Sequence, residues 1–183
     1  LRPMCDRTAE LAGTALGRSD ASDLSIRVVA DHARACTFLI GDGVLPLNEG
    51  RGYVLRRVLR RAARHGLLLG LEEPFLYEVA GTVIDEAGGA YPELRERRAV
   101  IQDTLRREEE RFLRTLGRGL QLIEEEAETA QREKRTRLSG EVVFKLYDTY
   151  GFPTDLTSDI LTSHGLDYDR DAFDASMREH SER

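Results

Sequence analysis

Apolar side chains recur three or four residues apart along most of this chain, which is the spacing of one face of an α-helix. Glycine and proline interrupt the pattern, as at Gly41–Asp42–Gly43, where glycine tolerates the left-handed conformation that often ends a helix. Neither strand-like alternation nor an internal repeat is present. The pattern predicts helices over residues 4–16, 24–40, 51–69, 74–86, 139–150, 154–164 and 169–183. We therefore predict an all-α, multi-helix fold.

The stretch 93–132 is long, highly charged and rich in helix-favouring residues. Its narrow apolar stripe consists of Val100, Leu105, Phe112, Leu116, Leu120 and Ile123. Because Gly117 and Gly119 interrupt any regular heptad, we interpret it as one long helix packed on its own domain rather than as a coiled coil. Residues 131–138 are polar, and we predict that they form a loop. The elements after Ser139, with Thr154 or Asp155 as a helix cap, form a C-terminal helical appendage.

Composition limits the classes of protein to consider. The 183 residues carry a net charge of −6, and no segment approaches the ~20 consecutive apolar residues of a membrane span. The two cysteines, Cys5 and Cys36, lack CxxC spacing, so we expect two buried, reduced thiols in a cytoplasmic protein, with neither a disulfide nor a metal site.

Local charge changes this picture, because residues 51–71 contain six arginines and no acid. Five of the six, at i, i+1, i+4, i+5 and i+8, share one broad helical stripe: Arg56, Arg57, Arg60, Arg61 and Arg64. We interpret this stripe as a phosphate-binding face, since the planar guanidinium matches phosphate oxygens. The alternative is a solvated face, or one neutralised by carboxylates of the Glu-rich helix.

Two sequence blocks are more specific. Residues 25–57 contain SIRVVADH, FLIGDGVLPLN and EGRGYVLRR, and residues 146–157 read LYDTYGFPTDLT. Both blocks, in their order and separation, closely resemble the segment that follows the class II catalytic core in alanyl-tRNA synthetases. The resemblance implies a tRNA-recognition segment of an ATP-dependent alanine–tRNA ligase, with residues 1–23 as the end of the core or a linker, 24–138 as the recognition domain, and 139–183 as its C-terminal part.

The resemblance also implies partners and cofactors. The expected partner is the acceptor stem of tRNA(Ala), identified by a G·U wobble pair, with neither DNA nor a membrane as a partner. No class II motif with ATP-binding arginines precedes Leu1, and no HxxxH zinc pattern follows Arg183. We therefore expect this piece to contain no catalytic residue and no cofactor, whereas the parent ligase would use ATP with Mg²⁺, and a zinc ion in its editing domain.

By the same resemblance, Asn48 and Asp148 are the two residues that recognise the wobble pair. We add Arg51 to the five stripe arginines as a predicted phosphate contact. A carboxylate only accepts hydrogen bonds and suits the unpaired amino group of guanine, whereas an amide both donates and accepts. From the residues alone, we prefer a structural role for both, with Asn48 as a turn residue and Asp148 as a helix-end residue. Their apposition around one groove is a prediction about tertiary structure.

Two other functions compete with this one. The chain could be a non-enzymatic helical protein-interaction module that pairs through the long acidic helix, or a free-standing RNA-binding protein. His32 beside Asp31 could suggest catalysis, but we expect a packed, hydrogen-bonded histidine, since no nucleophile is spaced to use it. Tyr147 and Tyr150 could stack on bases, although tyrosines in an apolar helix usually belong to the core.

Overall fold

A computed structural model describes residues 1–181 of the chain, and these contain nine helices and two very short strands. The first six helices are α1 (Arg2–Leu11), α2 (Asp20–Gly41), α3 (Gly50–Leu68), α4 (Leu76–Ala87), α5 (Pro92–Glu96) and α6 (Arg98–Arg132). The remaining elements are β1 (Arg137–Leu138), α7 (Gly140–Asp148), α8 (Thr154–Ser163), β2 (Asp167–Tyr168) and α9 (Arg170–Ser181). The predicted all-α, multi-helix fold with one long charged helix is confirmed.

The chain divides into two compact units, Leu1–Leu113 and Arg114–Arg183. In the first unit, α2 packs against α1, α3 and α4. Its core is made of the apolar faces that the sequence pattern predicts, with Ile26, Val29, Leu55 and Leu59 fully buried. Val54 of α3 is apolar but does not belong to the buried face, since it is 42% exposed. It lies one position before the buried Leu55, and a single step turns a helical side chain by about 100°.

The second unit is organised around α7, which packs against α8 and α9. Phe152 is fully buried, and a Cβ added at Gly119 would lie 2.4 Å from its ring. Strands β1 and β2 pair in parallel, with Arg137 opposite Asp167. The sequence pattern did not predict this pair, because two residues are too few to show an alternation.

Several predicted boundaries are wrong in informative ways. The long charged stretch is broken at Arg97, and Val100 at the start of α6 is 46% exposed, outside the apolar stripe. Helix α6 continues to Arg132, past the start of the predicted loop. Helix α8 has Pro153 at its N-cap position, so neither Thr154 nor Asp155 caps it. The last predicted helix is present over Arg170–Ser181, and the prediction for Glu182 and Arg183 lies outside the described residues.

Helix α4 starts for a reason that local sequence does not contain. We predicted Pro74 in its first turn, but the helix begins at Leu76 with Phe75 at the N-cap. The backbone N–H groups of Phe75 and Leu76 donate to Oε1 of Glu109, at 3.0 and 2.9 Å. A side chain 33 residues away in sequence from Leu76 thus satisfies donors that a helix N-terminus leaves open.

Candidate nucleic-acid interface

Asn48 lies in the loop between α2 and α3, and its side chain is exposed. Gly52 holds this loop close to α3. A Cβ added at Gly52 would lie 2.4 Å from the carbonyl oxygen of Leu45 and 2.8 Å from the backbone nitrogen of Leu47. Only a residue without a side chain permits this approach of backbone to helix. The loop that carries Asn48 is therefore seated tightly on the first turn of α3.

The side chain of Asn48 is held by an arginine. Its Oδ1 accepts a hydrogen bond from Nη1 of Arg56. The same guanidinium donates from Nε to Oε1 of Glu108 at 3.0 Å, and Glu108 is only 6% exposed. An exposed amide is thus connected through one arginine to a buried carboxylate of α6.

The six arginines of the predicted phosphate face have different environments. Arg60 also donates to Oε1 of Glu108, at 3.0 Å, and its Cζ lies 5.2 Å from the centroid of the Phe112 ring. Burial lowers the pKa of the Arg60 guanidinium, although its hydrogen bond to Glu108 acts in the opposite sense. The Glu-rich helix therefore supplies a carboxylate to this face, which is the alternative that the sequence left open.

The other four arginines are Arg51, Arg57, Arg61 and Arg64, and they differ in exposure. Arg51 and Arg57 are exposed: Nη2 of Arg51 lies 3.7 Å from Oδ2 of Asp42, and Cζ of Arg57 lies 6.0 Å from the centroid of the Tyr53 ring. Arg61 and Arg64 are half-buried, as are Arg56 and Arg60. Arg51 and Arg57 are thus the two predicted phosphate contacts whose side chains are most open to a ligand.

The two histidines of this unit, His32 and His65, are both packed against polar neighbours. Nδ1 of His32 lies 3.1 Å from Oδ2 of Asp31, and its Nε2 lies 3.4 Å from Nη1 of Arg61. His65 is buried against the Ser25 hydroxyl at 3.0 Å. Burial, with a smaller contribution from the neighbouring Arg64 and Arg61 charges, lowers the pKa of His65 to about 4. His65 is therefore neutral near pH 7.

Asp148 belongs to the second unit, where it is the last residue of α7 and its side chain is 45% exposed. Its Oδ1 lies 3.8 Å from Nε2 of His180 on α9. The His180 ring in turn lies 5.6 Å from the Phe144 ring, centroid to centroid. Asp148 is thus held loosely, by one long contact between two well-exposed groups. Asn48 and Asp148 fall in different compact units, so their apposition stays a prediction.

The neighbouring tyrosines support the core interpretation. Tyr147 is half-buried, with ring centroids 6.0 Å from Phe173 and 6.4 Å from Phe144. Tyr150 is also half-buried, and its carbonyl oxygen accepts a hydrogen bond of 2.7 Å from the Thr115 hydroxyl.

The whole chain matches a known protein family. Residues 1–183 match the family described as tRNA synthetases class II (A). The chain belongs to this family. Three curated relatives of this class II synthetase chain are alanine–tRNA ligases: from Acetivibrio thermocellus, 49% identical over 98% of this chain; from Anaeromyxobacter sp. (strain Fw109-5), 51% over 95%; and from Psychromonas ingrahamii, 52% over 91%. The chain spans about a fifth of the length of these relatives, with 20%, 21% and 19% of each covered.

Two residues of this synthetase chain were missed by sequence reasoning, Glu108 and Glu109. Both are buried, and burial raises the pKa of Glu109 to about 7, although backbone hydrogen bonds from Leu76 and Phe75 act against this. A signal was present, because the two acids stand between Leu105 and Phe112 at the i+3 and i+4 positions of the apolar stripe. Acids at core positions of an amphipathic helix are usually paired when buried.

Metal and membrane features can be judged for the residues that the structure covers. Among residues 1–181, no group of three or more His, Cys, Asp and Glu side chains is placed to hold a metal ion. No helix in that range is long and apolar enough to cross a membrane. Cys5 and Cys36 are both buried and free of disulfide bonds, as predicted, and burial raises the pKa of each thiol.

Proposed function

We propose that this chain recognises the acceptor stem of tRNA(Ala) as part of an alanine–tRNA ligase, and that Asn48 and Asp148 read a G·U wobble pair from the minor groove. The observation that carries the proposal is the setting of Asn48: an exposed amide, held by Arg56 and flanked by the exposed side chains of Arg51 and Arg57. The relatives that match nearly the whole chain are alanine–tRNA ligases, and we therefore propose tRNA(Ala) as the RNA that this site binds.

The chemistry of the two side chains suits this groove. A-form RNA presents a wide, shallow minor groove, whereas its major groove is too narrow for side chains to read. In a G·U wobble pair, the exocyclic amino group of guanine has no partner on uracil and needs an acceptor, which the Asp148 carboxylate supplies. Because Arg56 occupies Oδ1 of Asn48, the amide NH₂ is the part of that side chain suited to donating to an acceptor in the groove.

Arginines next to Asn48 would bind the backbone. Arg51 and Arg57 are exposed and are the proposed direct phosphate contacts. We propose that Arg56, Arg60, Arg61 and Arg64, which are half-buried, add positive potential behind them and touch phosphate only at their exposed edges. The face carries six guanidinium groups, of which Arg56 and Arg60 share Glu108 and Arg51 lies 3.7 Å from Asp42.

Activity belongs to the whole ligase in this proposal. Attachment of alanine to tRNA with ATP and Mg²⁺, and zinc-dependent editing, would be carried out by other parts of the protein, while this chain selects the RNA. The proposed setting is the cytoplasm, where tRNA is charged.

A binding experiment tests the proposal directly. The 183-residue chain is titrated with an alanine acceptor-stem hairpin and with its G·C counterpart at two salt concentrations. Wild type, Asn48→Ala and Asp148→Ala are compared with Asp174→Ala, a matched acid exposed on α9. We expect wild type and Asp174→Ala to prefer G·U, and each recognition variant to lose about 1–3 kcal/mol of that preference.

The outcomes separate the competing functions. Salt-sensitive binding with no G·U preference in wild type would leave a phosphate-binding chain without wobble recognition, contrary to the proposal. Absence of binding even at low salt would favour the protein-interaction module instead.

A further inference from the structure

We propose that Glu108 is a positioning residue for wobble recognition: through Arg56, it fixes the orientation in which Asn48 presents its amide to RNA. The inference rests on the proposed function of Asn48, and it changes the role of Arg56 from a phosphate contact to a link between a buried carboxylate and a recognition residue.

The first step is the geometry of Arg56. Its guanidinium is a rigid plane, and two of its nitrogens are used at once, Nε by Glu108 at 3.0 Å and Nη1 by Oδ1 of Asn48. Because the group is planar, fixing Nε on the carboxylate also fixes the direction in which Nη1 points. The position of the Asn48 amide therefore depends on a residue that it does not touch.

The second step is the immobility of Glu108. The residue is 6% exposed, and its Oε1 accepts from both Arg56 and Arg60, each at 3.0 Å. Arg60 itself lies over the Phe112 ring. A side chain locked by burial and by two charge-assisted hydrogen bonds is the support that a precise recognition group requires.

The third step concerns which end of the amide faces outward. Arginine only donates hydrogen bonds, so the atom of Asn48 that meets Arg56 must be its carbonyl oxygen. The amide is thereby prevented from exchanging its oxygen and nitrogen positions. RNA then meets an oriented NH₂ donor, without the loss of side-chain freedom that a mobile asparagine would suffer on binding.

Two substitutions break this link without removing Asn48. Glu108→Gln keeps the shape of the side chain but removes the charge that holds Arg56. Arg56→Lys keeps the positive charge, but one ammonium group cannot span both partners. The matched controls are Glu109→Gln, a buried acid at the next position, and Arg107→Lys, an exposed arginine paired with Asp103 at 3.0 Å.

The first readout measures the mobility of the Asn48 side chain and needs no RNA. Asn48 is the only asparagine in the sequence, so an asparagine label is specific to it. Chain labelled with ¹⁵N-asparagine gives a single side-chain NH₂ signal. We expect its NMR order parameter to be that of a rigid group in wild type and in both controls, and to fall below about 0.6 in Glu108→Gln and Arg56→Lys. An order parameter unchanged in both of these variants would overturn the inference, whatever the RNA experiments show.

The second readout is the ratio of affinities for the G·U and G·C hairpins. We expect Glu108→Gln to reduce this ratio at least fivefold, while affinity for the G·C hairpin changes less than twofold. Arg56→Lys should reduce the ratio by a similar factor, and thermal melting checks that both variants fold. A ratio kept by both variants but lost in Asn48→Ala would refute the role of Glu108 and leave the proposed function standing. A wild-type ratio of one would refute the proposed function and, with it, the role in recognition.

Discussion

The two compact units support their proposed recognition residues in contrasting ways. In the first unit, Asn48 is tied through Arg56 to the buried Glu108. In the second unit, Asp148 has one 3.8 Å contact with His180, and the side chains of both are about half exposed, at 45% and 58%. Among the described residues, the buried histidine and the buried acidic side chains all belong to the first unit, namely His65, Glu108 and Glu109.

The two units fix their side chains by different interactions. The first unit buries acidic side chains and gives them donors: Glu108 accepts from two arginines, and Glu109 accepts from two backbone N–H groups at the start of α4. The second unit is held by apolar and aromatic packing, with Phe152 fully buried and Phe173 nearly so, and leaves Asp148 free to adjust. A rigid amide and an adaptable carboxylate make different contributions to selectivity, since only the first is pre-organised.

The largest expected effect comes from removing the buried charge. Glu108→Ala leaves Arg56 and Arg60 without the carboxylate that they share, and we expect it to lower the free energy of unfolding by about 3–5 kcal/mol. The equivalent change in the second unit, His180→Ala, should cost less than about 1 kcal/mol, because exposed ion pairs contribute little. Urea denaturation of both variants measures these two changes in unfolding free energy. Equal losses would show that the two units do not differ in this respect.

The next effect depends on pH, and it arises from the first unit. Burial raises the pKa of Glu109 from its ordinary 4.5 to about 7, so the unfolded chain loses this proton before the folded chain does. Stability contributed by Glu109 therefore falls as pH rises between those values, by an amount on the order of 3 kcal/mol. His65 acts oppositely: its pKa falls from 6.5 to about 4, so its contribution increases with pH over that range.

Glu109→Gln separates these two opposing contributions. We expect the variant to gain stability relative to wild type from about pH 5 to about pH 8, as measured by urea denaturation at several pH values. Asp174→Asn, in the second unit, is the matched control and should track wild type. Parallel curves for Glu109→Gln and wild type would show that Glu109 is not held as the neutral acid.

A smaller effect tests the loop that carries Asn48. Gly52→Ala forces a methyl group against the backbone of Leu45 and Leu47, and we expect a loss of about 1–3 kcal/mol in unfolding free energy. Gly117→Ala in the second unit meets open space within a helix, so it should stabilise the protein by up to about 1 kcal/mol. Opposite shifts in melting temperature are the expected result; shifts of the same sign would contradict it.

The smallest effect concerns the exposed arginines. Arg57→Gln should weaken binding of both hairpins equally and reduce the slope of log affinity against log salt by about one. Arg118→Gln, an exposed arginine of the second unit, is the comparison and should leave the slope unchanged. An Arg57 variant with an unaltered slope would exclude that residue as a phosphate contact.

Much of the fold could be predicted because helical periodicity is a local property. The faces of α2 and α3 follow directly from their apolar spacing, and Ser19, which caps α2, extends that helix four residues before its predicted start. The start of α4 could not be predicted, since Glu109 caps it from a distant part of the chain. The strand pair was equally hidden, because it depends on tertiary proximity.

The residues of the candidate site also differ in whether local sequence could predict them. Asn48 and Asp148 were predicted because the motifs around them resemble those of a family, and their role stays a prediction. Glu108 was missed, since in a run of acids its burial depends on the rotation of α6 against α3, which composition does not reveal. The interruption of the apolar stripe at positions 108–109 is the local sign that these acids face inward.

The small strand pair of the second unit has a consequence for how that unit opens. Pairing β1 with β2 closes a loop of about 30 residues, at an entropic cost on the order of 3 kcal/mol. Each hydrogen bond contributes only about 1 kcal/mol, so the pair cannot persist unless α7 and α8 are packed. We therefore expect the amides of Asp167 and Asp169, which donate to Thr136 and Leu138, to lose their protection from exchange when the helices between the strands separate. These two amide protons make hydrogen exchange a direct measure of the cohesion of the whole unit.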